Sequence, residues 1–165
     1  MSKKNITITV NMSWLLYDIA NETFLRGRAL ANRDNYKEVA TMYATAEDEG
    51  HREKILRTVK KAFTEIRKEL SEYLKEDRKT ADSSGYGNTP DLVLNLLMPS
   101  NFNEAATDGI GEAIHDYMKN LAIAEWYLVT NRDEADMYMQ LVNKAMLNLQ
   151  HAVSRRERPR RAPGT

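Results

Sequence analysis

Two kinds of hydrophobic periodicity alternate along the chain and predict a mainly helical fold with a short β element. Near the N-terminus, Ile6, Ile8 and Val10 alternate with polar residues, which is the period-two pattern of a half-buried strand. Further along, apolar residues recur every three or four positions, as they do on the buried face of an amphipathic helix. This pattern predicts long helices over about residues 13–28, 48–75, 103–129 and from 131 onward, and a shorter helix around residues 36–46.

Each predicted long helix is defined by one set of residues with spacings of three and four. The four sets are Trp14, Tyr17, Asn21, Phe24 and Arg28; Leu56, Val59, Phe63, Ile66, Leu70 and Tyr73; Ile110, Ile114, Tyr117, Leu121, Ala124 and Leu128; and Tyr138, Val142, Ala145, Leu149 and Ala152. The connection between the third and fourth helices is short, and Asn131 or Asp133 caps the fourth helix. We therefore expect these two helices to form an antiparallel hairpin.

The segment from Asp91 to Met98 predicts a second strand. It is largely apolar, short for a helix and ended by Pro99, and we expect it to pair with residues 5–10. A two-stranded ribbon is marginal alone, so a helix or a neighbouring chain has to cover it. Residues 76–90 are rich in charge, serine and glycine and predict a loop. The predicted fold class is mainly α: residues 1–154 form a single domain, a four-helix-type bundle of long amphipathic helices with a short two-stranded β element.

A basic, extended tail is predicted at residues 155–165, where prolines 159 and 163 prevent a helix. The tail has five arginines against one glutamate, a net charge of +4, which leaves −4 for the rest of a chain that is neutral in total. Arginine suits contacts with carboxylates or phosphates through two parallel bonds. The candidate partner-binding residues of the tail are Arg155, Arg156, Arg158, Arg160 and Arg161. Three interpretations stay open: a solvated tail, a contact with an acidic neighbouring subunit, or a contact with nucleic acid.

A second candidate interaction surface lies on the third and fourth predicted helices. Tryptophan, tyrosine and methionine are enriched at protein interfaces, and the chain has eight methionines and eight tyrosines. The residues that widen the apolar surface beyond a single stripe are Trp126, Tyr127, Met137, Tyr138 and Met139. The alternative is that these side chains fill a broad internal core.

Composition and motifs argue against an enzyme, a membrane protein and a metal or cofactor site. The chain has 165 residues and no cysteine, which excludes disulfides and thiolate chemistry. It has no nucleophile elbow, no phosphate-binding loop and no apolar run long enough to cross a membrane. Glu112 and His115 have the Glu-x-x-His spacing of di-iron bundles, but that motif is specific only when it occurs twice with two further carboxylates. We expect no catalytic residues, no cofactor and no small-molecule substrate.

Several segments of the chain together resemble a known set of proteins. The segments are ITITVNMSWLLYDIANETFLRGR, LNLLMPSNFNEAA, IHDYMKNLAIAEWYLVTNRDEADMYMQLVNKAMLNL and the closing RRERPRRAP. In their order and character they resemble small structural proteins encoded by tailed phages and prophages of gut Bacteroidales. The resemblance covers most of the chain, except residues 33–50 and 76–90.

The resemblance implies a virion component of the neck or tail region, assembled from many copies in the cytoplasm of a bacterial host. Such a protein would form a ring, a collar, a head–tail connector or a tail component, and would contact further copies of itself and other virion structural proteins. The absence of cysteine fits assembly in a reducing cytoplasm. The alternative function is a helical regulatory module that binds nucleic acid through its Arg-rich tail.

Overall fold

The computed structural model describes residues 2–42, 44–46, 49–75 and 90–161, and 69% of these described residues are helical. Within these ranges the chain forms five α-helices and one two-stranded antiparallel sheet. In chain order the elements are β1 (Lys4–Val10), α1 (Met12–Leu30), α2 (Tyr36–Met42), α3 (Glu49–Glu69), β2 (Leu92–Met98), α4 (Thr107–Thr130) and α5 (Arg132–Val153). The loop predicted at 76–90 lies, except for its last residue, outside the described part of the chain.

The two predicted strands pair with each other, which confirms the prediction made from their hydrophobic pattern. β1 and β2 are antiparallel, with Ile6 opposite Leu96 and Ile8 opposite Leu94. These four side chains are buried on one face of the ribbon, whereas Thr7 is exposed on the other face. α4 packs against β1 near Ile8 and supplies the cover that a two-stranded ribbon needs.

α4 is the most central helix of the described structure. It packs against β1, α1, α2, α3 and α5, and the buried residues along it lie on more than one side. The predicted stripe on this helix is buried from Ile110 to Ala124, but its last member, Leu128, is 50% exposed. A helix that is covered on several sides has to be apolar on several sides.

α4 and α5 pack closely side by side, as the predicted hairpin requires. Only Asn131 separates the two helices. Its side-chain oxygen accepts a hydrogen bond from the backbone N–H of Glu134 (3.4 Å), so Asn131 and not Asp133 caps α5. The predicted α5 stripe from Tyr138 to Leu149 is buried.

α1 is present as predicted, but the residues that defined its spacing lie on its outward side. The side chains that α1 buries are Met12, Leu15, Ile19, Thr23 and Gly27. Trp14, Tyr17 and Phe24, which belong to the predicted set, are exposed. At 100° per residue, the two sets lie on opposite sides of the helix.

A row of polar residues four positions apart on α1 binds α4 and α5. The Asp18 carboxylate lies 2.8 Å from Nε2 of His115, and the Glu22 carboxylate lies 3.0 Å from Nζ of Lys119. The Tyr138 hydroxyl on α5 donates a hydrogen bond to Glu22 (2.9 Å). Because residue numbers rise together in the contacts with α4, α1 and α4 run in the same direction.

α3 ends at Glu69 and does not continue to Lys75 as its pattern predicts. The chain turns there and follows the outer side of β2. The Lys75 N–H donates to the Asn95 carbonyl (3.1 Å), and the Leu97 N–H donates to the Tyr73 carbonyl (2.7 Å). Residues 73–75 therefore pair with β2 as an antiparallel β-bridge. The three- and four-residue spacing of their side chains does not predict this backbone pairing.

Two further predicted boundaries shift by one turn. The helix predicted around 36–46 ends at Met42, and Ala44–Ala46 forms a 3₁₀ turn. The helix predicted from residue 103 begins at Thr107, because the Asn103 side chain caps a separate 3₁₀ turn at Glu104–Ala106. Among the described residues, no helix combines the length and the apolar character needed to cross a membrane.

Candidate interaction surfaces

Three of the five residues predicted as an aromatic and methionine interface lie in the interior, which corrects that prediction. Trp126 is 5% exposed, Tyr127 is 0% exposed and Tyr138 is 3% exposed. The indole N–H of Trp126 donates to the backbone carbonyl of Met42 (2.9 Å), so this side chain joins α2 to α4. The rings of Tyr127 and Tyr138 meet edge to face with their centroids 5.4 Å apart. The alternative of a broad internal core is correct for these three side chains.

The two methionines of the same set remain accessible to a partner. Met137 and Met139 are each 37% exposed. They flank Tyr138 on α5, and neighbouring helical residues project about 100° apart, so each methionine lies at a border of the buried face.

The first residues of the predicted tail bind the body of the protein. The Asn103 N–H donates to the Arg155 carbonyl (3.1 Å), and the Glu157 N–H donates to the Asn101 carbonyl (2.8 Å). The Glu157 carboxylate also lies 2.5 Å from Nζ of Lys4. This contact raises the pKa of the Lys4 ammonium and lowers the pKa of the Glu157 carboxyl. Residues 155–157 therefore belong to the fold.

All five tail arginines are exposed, but they do not have the same surroundings. Nη1 of Arg156 donates to the Val153 carbonyl at the end of α5 (2.9 Å). Arg158, Arg160 and Arg161 follow Glu157, which forms the last backbone hydrogen bond between tail and body within the residues described up to 161. These three are the arginines best placed to reach a partner.

An exposed apolar surface on α1 is a further interaction candidate, which the hydrophobic spacing of the sequence did not predict. We call it the α1 patch; its members are Trp14, Tyr17, Phe24 and Leu25, with exposed fractions of 73%, 67%, 45% and 57%. The Arg28 guanidinium lies over the Phe24 ring, 5.8 Å from its centroid. A second apolar row on the same helix, containing Leu15 and Ile19, was the available signal, because a helix that packs on one side only buries one of two opposite rows.

A polar groove of about 540 Å³ lies between the start of α4 and the end of α5. Glu112 and Asp116 line it on α4, and His151 and Arg155 line it on the other side. Asp108 precedes Glu112 by one turn, so α4 carries three exposed carboxylates four positions apart. The α4 side of the groove is therefore acidic, whereas Arg155 lines the opposite side.

The Glu-x-x-His pair on α4 is divided between two environments. Nε2 of His115 faces the Asp18 carboxylate on α1 at 2.8 Å, whereas Glu112 lines the groove beside α5. Within the residues that the structure describes, no three histidine, aspartate or glutamate side chains come together as a metal site.

Comparisons of the chain with protein-family models, curated proteins and solved structures find no match. Three surfaces of the described chain are candidates for contacts with a partner. These are the apolar α1 patch, the arginines that follow Glu157 and the acidic side of α4.

Proposed function

We propose that this chain is a structural component of a tailed-bacteriophage virion, present in several copies as a ring, a collar, a head–tail connector or a tail component. Its partners are further copies of the chain and other virion structural proteins, and it assembles in the cytoplasm of the bacterial host. The α1 patch carries the proposal, because a cluster of exposed apolar side chains on a folded domain marks a contact surface. The resemblance of four segments to phage structural proteins supports it.

The α1 patch has the composition of an interface centre. Trp14 and Tyr17 lie one turn apart, and tryptophan and tyrosine supply much of the energy at protein interfaces. Phe24 and Leu25 extend the apolar surface by two further turns. All four side chains are on a helix that the rest of the chain already holds in place, so a partner would not have to order a flexible segment.

A ring requires two different surfaces on each subunit, because its contacts are heterologous. The tail arginines provide a second surface, and the carboxylates of Asp108, Glu112 and Asp116 match their charge. Carboxylates four residues apart on a helix are separated by about 6 Å along its axis. Arg158 and Arg160 on an extended chain are separated by about 6.6 Å. The similar spacings support docking of the tail on α4 of an adjacent copy.

The proposal includes a finer architecture than the mainly helical fold described above. In it, α1, α3, α4 and α5 act as a four-helix-type bundle. The Arg/Pro tail is held to this body at residues 155–157 and leaves it as an extended segment after Glu157. The packing of α4 against each of the other three long helices supports the bundle. The two tail prolines support the extended backbone.

The mass of the purified full chain in solution tests the assembly proposal. Light scattering across a concentration series should detect a discrete multi-subunit species, and a Trp14→Ser/Tyr17→Ser variant should shift it toward smaller species. Leu147→Ser is the control, since Leu147 is 54% exposed on α5 and lies outside the α1 patch. A wild-type monomer at every concentration, or equal effects of the two variants, would contradict assembly through α1.

The virion location needs a separate test. Particles purified from the source strain after prophage induction should contain the chain at a fixed ratio to the other structural proteins, measured by quantitative mass spectrometry. Its absence from intact particles would refute the virion proposal. The α1 patch and the tail arginines would then have to bind partners outside the virion.

Nucleic-acid binding is the second candidate function, and one observation favours it. α3 exposes a series of basic side chains: Arg52, Lys54, Arg57, Lys60, Lys61, Arg67 and Lys68. The Gln150 amide donates to the Glu69 carboxylate (2.8 Å), which places the end of α3 beside the end of α5 where the tail begins. DNA binding that falls steeply between about 50 and 200 mM salt, and that is lost with the tail, would favour this function over the structural one.

A further inference from the structure

β1 has one edge that no other strand covers within the described part of the chain. β2 lies along one side of β1. The direction of each backbone group follows from the bonds on the far side of β2. Asn95 and Leu97 form backbone hydrogen bonds with Lys75 and Tyr73, so the backbone groups of Asn95 and Leu97 point away from β1.

Backbone groups alternate in direction along a strand, so Leu94 and Leu96 point toward β1. Their partners in the ladder are Ile8 and Ile6, whose backbone groups therefore point toward β2. The residues whose N–H and C=O groups point outward are Asn5, Thr7 and Thr9. Their side chains are exposed, and their backbone groups form no hydrogen bond with another part of the described chain. We call these three residues the open edge.

The open edge lacks the usual protection of an edge strand. Lysines, prolines and bulges in the middle of such strands normally prevent pairing with other chains. Here no charged residue and no proline occurs between Lys4 and Asp18. Unpaired backbone groups on an uncharged strand are a template for another extended segment.

The occupant that fits this edge is a second copy of the same strand. The outer side of β2 is bridged by Tyr73–Lys75 and offers no comparable edge along that stretch. The extended tail is a poorer candidate, because Pro159 removes a donor and the arginines would bring charge to a strand edge without carboxylates. The open edge of a second copy has the same pattern of donors and acceptors. When the two edges run antiparallel, each donor of one copy meets an acceptor of the other.

We propose that two copies of the chain pair antiparallel through β1, about a two-fold axis at Thr7, and join their ribbons into one four-stranded sheet. In this register Thr7 lies opposite the partner's Thr7, and Asn5 lies opposite the partner's Thr9. Each outward residue exchanges both of its backbone hydrogen bonds with the residue opposite. The central threonine pair is a favourable cross-strand combination on the exposed face.

The pairing goes beyond the proposed function and does not depend on it. A two-fold contact is isologous and yields a dimer, whereas a ring needs heterologous contacts. The open edge shares no residue with the α1 patch or with the tail. Different variants therefore test the two proposals, whereas a wild-type chain that stays monomeric at every concentration would contradict both.

Single cysteine variants test the register, because the natural chain has no cysteine. In the proposed pair, the two Cα atoms at position 7 are about 5.5 Å apart, which a disulfide can span. Thr7→Cys should therefore form a covalent dimer under mild oxidation. Thr9→Cys is the matched control on the same strand face, because the two Cα atoms at position 9 are about 14 Å apart.

A mixture of Asn5→Cys and Thr9→Cys proteins should cross-link to each other, since these positions face one another in the proposed register. No disulfide from Thr7→Cys, or equal cross-linking of Thr7→Cys and Thr9→Cys alone, would overturn the proposal. A disulfide from Thr9→Cys without one from Thr7→Cys would overturn the register and with it the two-fold axis at Thr7.

Proline at position 7 tests the dependence on the backbone donor. The Thr7 N–H points outward, so Thr7→Pro removes an intermolecular donor and leaves the β1–β2 ladder intact. Thr7→Val is the control, because it keeps the N–H and, like proline, lacks the hydroxyl that donates to Oδ1 of Asn95 (3.0 Å). Circular dichroism and thermal melting establish that both variants fold.

The dimer dissociation constant, measured by light scattering, should be close to the wild-type value for the Thr7→Val protein. It should be about tenfold higher for the Thr7→Pro protein, which corresponds to a loss of about 1.4 kcal/mol of binding free energy. Equal dimerisation of the two folded variants would overturn the proposal. A chain that dimerises through β1 but is absent from virions would refute the proposed function alone.

Discussion

Arg26 and Glu134 form a two-bonded ion pair that joins the end of α1 to the start of α5. Nε of Arg26 lies 2.5 Å from Oε2 of Glu134, and Nη2 lies 2.9 Å from Oε1. The hydrogen bonds to Glu134 raise the pKa of the Arg26 guanidinium. Together with the contact between Asp18 and His115, this pair fixes the rotation of α1 about its axis. The α1 patch faces outward because the polar row and the buried row occupy the other sides of the helix.

Replacing Arg26 with lysine should destabilise the fold by about 1 kcal/mol. Lysine keeps the charge but cannot form two parallel bonds with the Glu134 carboxylate. The Arg26 side chain is 37% exposed, so solvent screening limits the loss. The measurement is the free energy of unfolding from urea denaturation.

Arg57→Lys on α3 is the matched control for that substitution. The Arg57 side chain is 79% exposed in its pair with Glu53, and exposed pairs of this kind contribute less than about 0.5 kcal/mol. Equal losses from the two arginine substitutions would show that the pair between α1 and α5 is no more important than an ordinary surface contact.

The strand pair could be predicted from sequence because its signal is local, whereas the rotation of α1 could not. Alternating Ile6 and Ile8 reveal which face of β1 is buried without reference to any other element. α1 carries apolar residues on two sides, with Leu15 on one and Trp14 on the other. The contacts that select between the sides come from distant residues; His115 is 97 positions from Asp18.

Removing the Tyr127 hydroxyl should stabilise the protein. This oxygen is buried and has no hydrogen-bond partner among the described residues, so Tyr127→Phe removes a desolvated polar group and should raise the free energy of unfolding by about 1 kcal/mol. Tyr138→Phe is the opposite case, because its hydroxyl donates to Glu22 (2.9 Å) and its loss should cost about 1 kcal/mol. Denaturant unfolding of both variants measures the difference, and a destabilised Tyr127→Phe protein would contradict the assignment.

Among the predicted partner-binding residues, the sequence predicted exposure correctly for those of the tail, which do not pack into the core. The tail arginines are exposed because prolines and charge keep residues 158–161 away from any core. Trp126 and Tyr127 were assigned to an interface on composition, but a wide apolar surface is equally typical of a helix surrounded by its own chain. The central position of α4 depends on how all the helices pack, which the spacing within one helix does not contain.

Buried tyrosines should make the fold less stable at alkaline pH. Burial, followed by the hydrogen bond to Glu22, raises the pKa of Tyr138 above its ordinary value, and burial with Glu65 does the same for Tyr117. A group whose pKa is higher in the folded than in the unfolded state contributes fully to stability at pH values below its unfolded pKa. This contribution is lost as the pH rises from the unfolded pKa through the folded pKa. The free energy of unfolding should therefore fall above about pH 10.

Tyr138→Phe isolates one contributor to this alkaline loss. The variant should start from a lower stability at neutral pH but lose less stability than the wild type above about pH 10. Urea unfolding at several pH values measures both slopes. If the free energy of unfolding falls equally steeply with pH in the two proteins, ionisation of Tyr138 does not contribute to the alkaline loss of stability.

Two truncations should separate the structural part of the tail from its partner-binding part. Deleting residues 158–165 removes three arginines that lie beyond the last backbone hydrogen bond to the body in the described part of the tail, so the melting temperature should stay within about 2 °C of the wild type. Deleting residues 155–165 also removes the bonds from Arg155 and Glu157 to the 101–103 segment, and the melting temperature should fall by several degrees. Both truncated chains should keep their helix content, measured by circular dichroism, but enter particles poorly. Normal incorporation of the chain ending at residue 157 would contradict a partner-binding role of these arginines, because that chain retains the backbone hydrogen bonds that join the described part of the tail to the body.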